Sequence, residues 1–203
     1  GPGFGGSCFK KDILNLVYLS EHFGLPEVAA FWEEVVKLNS WHQHRISKLV
    51  VKKLFGTVSG KKISILGFAF KANTNDTRES AAIQICKDLI EEGAILQIHD
   101  PKVKTKQISI DLNLKPNELK SNLSKKLHKK RTWIFNEELF DVFSNTDAVV
   151  ILTEWEEYNQ IDWLKVSKSM RRPAWVFDTR NIIDREKILN AGLNIWRIGD
   201  GLN

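Results

Sequence analysis

The first twelve residues, Gly-Pro-Gly-Phe-Gly-Gly-Ser-Cys-Phe-Lys-Lys-Asp, set a thiol (Cys8) four residues before a carboxyl (Asp12). Gly1, Gly3, Gly5 and Gly6 let the backbone take positive φ angles and approach a ligand closely. Apolar residues then recur near helical period at Ile13, Leu14, Leu16, Val17 and Leu19, which predicts a helix over Lys10–Phe23 with Cys8 where it begins. A helix N-terminus offers unpaired N–H groups and a partial positive charge, and both stabilise a thiolate. The four-residue spacing puts Cys8 and Asp12 on one helix face. That layout suits a nucleophilic thiol with an acidic group beside it. The same residues also fit a plain glycine turn before a helix, with the cysteine as a small apolar side chain, so the rest of the chain has to decide.

The elements that must position this loop follow. Gly24 stops the first helix, and Pro26 is placed to open a second that runs without a breaker to about Phe55. Its apolar positions include Val28, Phe31, Val35, Leu38, Ile46, Leu49, Val50 and Leu54. A helix longer than usual, polar on one side, connects domains or packs against a second subunit. Beyond Gly60 the pattern becomes strands alternating with helices. Strands are expected at Ile63–Phe68, Ile95–His99, Trp133–Phe135, Ala148–Leu152, Trp175–Asp178 and Asn194–Arg197. Helices are expected at Arg78–Glu92, where Asp76 and Glu79 have capping-box spacing, and at Glu137–Ser144, Ile161–Met170 and Arg185–Ala191. Lys102–Arg131 is polar and irregular and reads as an insertion rather than core. The alternation defines an α/β fold with a Rossmann-like parallel sheet.

Ligands on such sheets bind beyond the C-terminal strand ends. Gly67–Lys71, Asp100-Pro101 and Asp178–Asn181 fall there. No Gly-x-Gly-x-x-Gly follows the first strand, which disfavours a dinucleotide site within this domain. Lys71 and Arg180 suit a phosphate or an anionic sugar nucleotide; the alternative for each is a solvent-exposed loop cation.

Composition sets bounds. The chain has 203 residues, enough for one or two domains, and 42% hydrophobic content with seven Trp supports a sizeable core. It lacks a run of about 18 apolar residues that would span a membrane. Its opening residues lack the basic and apolar regions of a signal peptide, and a start inside a motif, with no Met, suggests a piece of a longer protein. Of the two cysteines, Cys86 lies on an apolar helical stripe and reads as core, so a reduced, cytoplasmic chain without disulfides is expected. No Cys/His pattern has metal-ligand spacing, and His42 and His44 fall on a polar helix. The net charge of +5 suits an anionic ligand, though much of the excess lies in Lys115–Arg131. That run lacks the aromatic residues that stack on bases, so a solvated stretch is expected there rather than a nucleic-acid partner.

Several motifs together resemble the UDP-glucose/GDP-mannose dehydrogenase family. Gly-Phe-Gly-Gly-Ser-Cys-Phe-Lys-Lys-Asp looks like that family's catalytic-cysteine motif, and Ile65–Ser80 (Ile-Leu-Gly-Phe-Ala-Phe-Lys-Ala-Asn-Thr-Asn-Asp-Thr-Arg-Glu-Ser) looks like its second signature. His99-Asp100-Pro101, Thr153-Glu154-Trp155 and Phe177-Asp178-Thr179-Arg180 fall in the family's order. The resemblance covers nearly the whole chain and is strongest to the animal UDP-glucose-oxidising members, except from about Leu112 to Arg131, where this chain is longer and more basic.

The resemblance implies two parts: residues 1–57 as cysteine loop and central dimerisation helices, and residues 58–203 as a UDP-sugar-binding domain. It implies that the family's N-terminal NAD-binding domain is absent from this chain. It further implies NAD-dependent, four-electron oxidation of UDP-glucose to UDP-glucuronate, with Cys8 as nucleophile and Asp12 positioning or activating water. Gly3, Phe4, Gly5, Phe70, Lys71 and Arg180 would contact the UDP-sugar. Arg78 and the backbone of Cys8, Phe9, Lys10 and Lys11 would face NAD; Lys10 stands where the family often has Gln. No metal, membrane or nucleic acid is implied, and the protein would be a dimer or hexamer through the long helix. Two alternatives stay open: a non-catalytic sugar-nucleotide-binding or dimerisation module, and a sister enzyme acting on GDP-mannose or a UDP-N-acetyl sugar.

Overall fold

A computed structural model describes residues 1–117 and 132–201. Two helices lead. Phe9–His22 (α1) and Pro26–Lys53 (α2) pack along each other across the Gly24 turn. Pro26 sits in the first turn of α2, where its missing N–H costs no hydrogen bond. The helix stops two residues short of the expected Phe55, because Phe55 and Gly56 take positive φ (65° and 79°). The main core cluster takes Ile46 and Val50 from the second half of α2 and Leu54 just after it, while Ala29 is buried in its first half.

The rest is one six-stranded sheet. Its strands are Lys62–Leu66 (β1), Ile95–His99 (β2), Thr132–Phe135 (β3), Ala148–Ile151 (β4), Trp175–Asp178 (β5) and Asn194–Arg197 (β6). They lie in the order β3-β2-β1-β4-β5-β6 and every pairing is parallel. The central strands are buried on both faces, as continuous apolar runs such as Ala-Val-Val-Ile in β4 require. Ala81–Glu91 (α3) turns Ile85, Cys86 and Leu89 inward and joins the sheet to α2. Trp163–Ser169 (α5) and Arg185–Asn190 (α6) complete the cover.

Further sequence expectations change. The first strand ends at Leu66 rather than Phe68, since Gly67 turns the chain with φ 88°. The Arg78–Glu92 helix begins only at Ala81. Its cap is Ser80, which accepts from the Ala82 N–H and donates to the Phe68 carbonyl, so Asp76 and Glu79 form no capping box. Asp76 instead accepts from Arg78, while Glu79 takes φ 53°. Part of the expected insertion is core: Thr105–Leu112 is a helix (α4) with Ile108 and Leu112 buried at four-residue spacing. The expected Glu137–Ser144 helix is a short 3-10 turn, Leu139–Phe143. Most of the basic run, residues 118–131, lies outside the described residues.

Candidate functional site

The strand order reverses between β1 and β4, which opens a crevice at their C-terminal ends. Gly67–Lys71 and Leu152–Trp155 form its two sides. Their closeness depends on Gly67: a Cβ there would stand 2.8 Å from the Thr153 backbone nitrogen. Thr153 Oγ1 donates to the Ala69 carbonyl at 2.6 Å, so the two sides are joined.

Two buried aspartates hold the flanking loops. Asp100, after β2, accepts from the Phe68 and Ala69 amides at 2.7 and 3.0 Å and from Trp155 Nε1 at 3.2 Å. Asp178, at the end of β5, accepts four successive amides from Arg180 to Ile183 at 2.8–2.9 Å. That turn delivers Arg180 across the crevice. Its Nε donates to the Leu152 carbonyl at 2.7 Å and its Nη2 to the Phe70 carbonyl at 3.1 Å, with Glu154 at 3.1 Å. Burial pulls the Arg180 guanidinium below its ordinary value and Glu154 opposes that shift, so the group is a largely desolvated cation facing the switch point.

The glycine loop crosses this crevice. It starts beside Arg180, where a Cβ on Gly1 would stand 3.3 Å from Nη1. Next it lies on α2: the Phe4 N–H donates to Asn39 Oδ1 at 2.8 Å, and Asn39 Nδ2 donates back to the Phe4 carbonyl at 3.1 Å. A Cβ on Gly3 would meet that same amide at 2.7 Å. Gly5 then passes so close to Glu79 that a Cβ would overlap its carbonyl, and the Gly6 N–H donates to the Arg78 carbonyl at 2.8 Å. Gly6 also lies against the Phe70 ring.

Cys8 follows as the N-cap residue of α1, exposed, with Ser7 Oγ 3.5 Å from its sulfur. Asp12 is exposed one turn on, and its N–H donates to the Cys8 carbonyl at 2.9 Å. Cys8 opens on a cleft of about 930 Å³ that Lys10, Lys11, Thr77, Arg78, Glu79 and Asp111 also line. Lys10 pairs with Glu79 at 2.8 Å and Arg78 with Asp76 at 2.7 Å; Lys11 has no ion pair among the described residues. Glu79 and Asp111 line the cleft beside these cations, so its charge is mixed, and Lys11 is the lining cation left to meet an anionic group such as a pyrophosphate. Among the described residues no cluster of His, Cys, Asp and Glu could hold a metal ion.

Apart from Asp12, which is exposed one turn from Cys8 and outside the cleft lining, the predicted residues fall into two groups. Cys8, Lys10, Lys11 and Arg78 share the cleft, with Phe9 stacked edge-on against Phe4 at 4.7 Å. Gly3, Phe4, Gly5, Phe70 and Arg180 lie along the loop and the crevice, outside that lining; Lys71 is exposed, with its ammonium 5.4 Å from the Phe70 ring. The loop separates the two groups, and Cys8 stands at its end. Sequence reasoning missed Asn39, a single amide midway along an apolar-patterned helix, which carries no local signal. It placed Asp100 and Asp178 at the strand ends and in the family's motif order but gave neither a loop-holding role.

The strand order puts this chain among the doubly wound α/β proteins. Residues 64–185 match the family described as "UDP-glucose/GDP-mannose dehydrogenase family, UDP binding domain", and residues 1–41 match the central domain of the same family. The chain belongs to the UDP-glucose/GDP-mannose dehydrogenase family. It is 47% identical over 197 residues to a UDP-glucose 6-dehydrogenase of Drosophila melanogaster, covering 97% of this chain and 40% of that protein. Among solved structures it resembles a UDP-glucose dehydrogenase from Pyrobaculum islandicum, with TM-score 0.67 and 27% identity over 90% of this chain and 35% of that one. An NDP-N-acetyl-D-galactosaminuronic acid dehydrogenase from Methanosarcina mazei shares the fold at 21% identity, with TM-score 0.71 over 98% of this chain and 39% of that one. The chain spans about 40% of the length of the curated relatives it matches.

Proposed function

We propose that this chain is the cysteine-bearing and sugar-nucleotide-binding part of an enzyme that oxidises the C6 alcohol of UDP-glucose to the carboxylate. The observation that carries the reading is Cys8: an exposed thiol at the start of α1, on a cleft lined by Lys10, Lys11 and Arg78, at the end of a loop that begins beside Arg180. NAD, held by Arg78, Lys11 and the backbone of Cys8 to Lys10, supplies the hydride acceptor when bound. The chain's own residues do the rest. Once the alcohol has become an aldehyde, the Cys8 thiolate adds to its carbonyl carbon and gives a thiohemiacetal. Loss of hydride from that carbon and of the hydroxyl proton leaves a thioester. Water held by Asp12 then attacks the thioester carbonyl, which releases the carboxylate and restores the thiol.

On this reading Arg180 binds phosphate or sugar, Phe70 and Lys71 contact the UDP-sugar, and Gly3, Phe4 and Gly5 line the sugar and uridine. Calorimetry on this chain is expected to show UDP-glucose binding at least about tenfold more tightly than GDP-mannose or a UDP-N-acetylhexosamine. Arg180→Lys keeps the charge but loses the planar fork, and is expected to weaken UDP-glucose by about tenfold or more. Equal or tighter GDP-mannose binding would assign the chain to a sister reaction, and undiminished binding by the lysine variant would remove Arg180 from the site.

We also read residues 1–57 as an association unit. Tyr18, Phe31, Leu38 and Trp41 lie exposed on α1 and α2, with Phe23 exposed just after α1, and large apolar surfaces of this kind mark interaction sites. Sedimentation should find at least a dimer, and Phe31→Glu should shift it toward monomer; a monomeric wild-type chain at micromolar concentration would remove this role. A nucleophilic thiol needs a reducing compartment, which supports a cytoplasmic setting.

A further inference from the structure

We infer that Lys10 and Glu79 are a positioning pair that fixes the Cys8 end of α1 against the sugar-nucleotide domain. Glu79 is the odd residue here. A glutamate gains nothing locally from φ 53°, and the next residue, Ser80, already caps α3 without its help. What the conformation achieves is directional. It turns the Glu79 carbonyl onto Gly5, leaving no room for a Cβ there, and brings the Glu79 carboxylate to Lys10 Nζ at 2.8 Å. The neighbouring Arg78 carbonyl takes the Gly6 N–H at 2.8 Å. Adjacent residues thereby hold both sides of Cys8: the Arg78 carbonyl bonds the loop before it, and the Glu79 side chain bonds the helix turn after it.

The pair also has a place among the cavities. Lys10, Glu79 and Ile83 line both the 930 Å³ Cys8 cleft and a second cavity of about 260 Å³ bounded by Asn39 and Gln43. They are the wall between the two. The side chains are 35% and 50% exposed, so the ion pair adds little to global stability. Its contribution is geometric: Lys10 is two residues from Cys8, and holding it holds the first turn of α1.

The consequence for catalysis rests on the reading of Cys8 as nucleophile; the positioning itself does not. The test therefore uses this chain and two readouts that need no turnover. One is hydrogen exchange of the amides from Gly5 to Cys8. The other is the alkylation rate of Cys8 by iodoacetamide, which the buried Cys86 does not obscure. Glu79→Gln and Lys10→Met are each expected to speed exchange about fivefold and to change alkylation about threefold, with little change in Tm. The charge-reversed pair Lys10→Glu with Glu79→Lys is expected to return both rates to within about twofold of wild type. Glu79→Gly separates strain from grip: it is expected to raise Tm by relieving the positive φ, and yet to loosen the loop. Unchanged exchange in both single variants, or a reversed pair no better than its parents, would overturn the inference. Cys8→Ser that still made carboxylate would sink the nucleophile reading without bearing on the exchange and alkylation rates of the Lys10 and Glu79 variants.

Discussion

Cys8→Ser is expected to abolish carboxylate formation, by about a thousandfold or more, in any longer form of this protein that oxidises UDP-glucose. The reason lies in the second oxidation. A bare aldehyde has no good route for losing hydride, and a serine hydroxyl at neutral pH is a far weaker nucleophile than a thiolate toward that carbonyl. The first oxidation needs no covalent bond to the chain, so aldehyde rather than carboxylate is the product to look for in the variant. The same substitution can be read on this chain alone. Cys86 is fully buried and desolvation holds its thiol well above the ordinary cysteine value, so it stays protonated and shielded. Native alkylation should therefore add one label to the wild type and none to Cys8→Ser. Undiminished carboxylate production in the serine variant would refute the thioester route.

Gly67→Val should be the most damaging single change to the fold at the site. Gly67 turns the chain at φ 88°, where a β-branched residue is strained, and a Cβ would collide with Thr153 backbone and side chain. Thr153 cannot retreat freely, because it is fully buried and its hydroxyl is bonded to the Ala69 carbonyl. Overpacking and backbone strain together put the loss at about 3–5 kcal/mol, a large share of the stability of a domain. Thermal unfolding should show Tm lower by about 10 °C or more. Gly56→Ala is the control: φ is similarly positive (79°), but no atom lies within 4 Å of the new Cβ, so only the strain is incurred. A Gly67→Val melting point equal to that control would mean that the crevice is not held as tightly as Thr153 implies.

The parallel sheet was legible because its strands are short apolar-centred segments bounded by turns: Ile95–His99, Trp175–Asp178 and Asn194–Arg197 keep their expected bounds in the structure. The Cys8 position was legible for a similar reason, since glycines followed by helical periodicity fix where a helix starts. Glu79 was misread because Asp76 and Glu79 have the spacing of a capping box. Spacing carries no information about which residue turns out of the helix, and Gly5 and Lys10, some seventy positions away in sequence, decide it. Helix α4 was missed because its polar surface outnumbers Ile108 and Leu112, whose burial depends on a sheet formed by distant strands. The crevice itself is a product of topology: Arg180 meets Phe70 and Leu152 only because β5 and β1 both flank β4.

Asn39 carries one more implication. It holds both polar groups of the Phe4 peptide, and it lies on the same turn of α2 as the exposed Leu38 and Trp41. One helical turn is thus common to the loop that ends in Cys8 and to the bare apolar face. On the proposed reading, in which the loop takes a ligand and that face takes a second copy, any coupling through this turn is reciprocal. Whatever free energy a ligand at Phe4 transmits to an associating surface at Trp41 returns in equal measure, so association must tighten or loosen that ligand by the same factor.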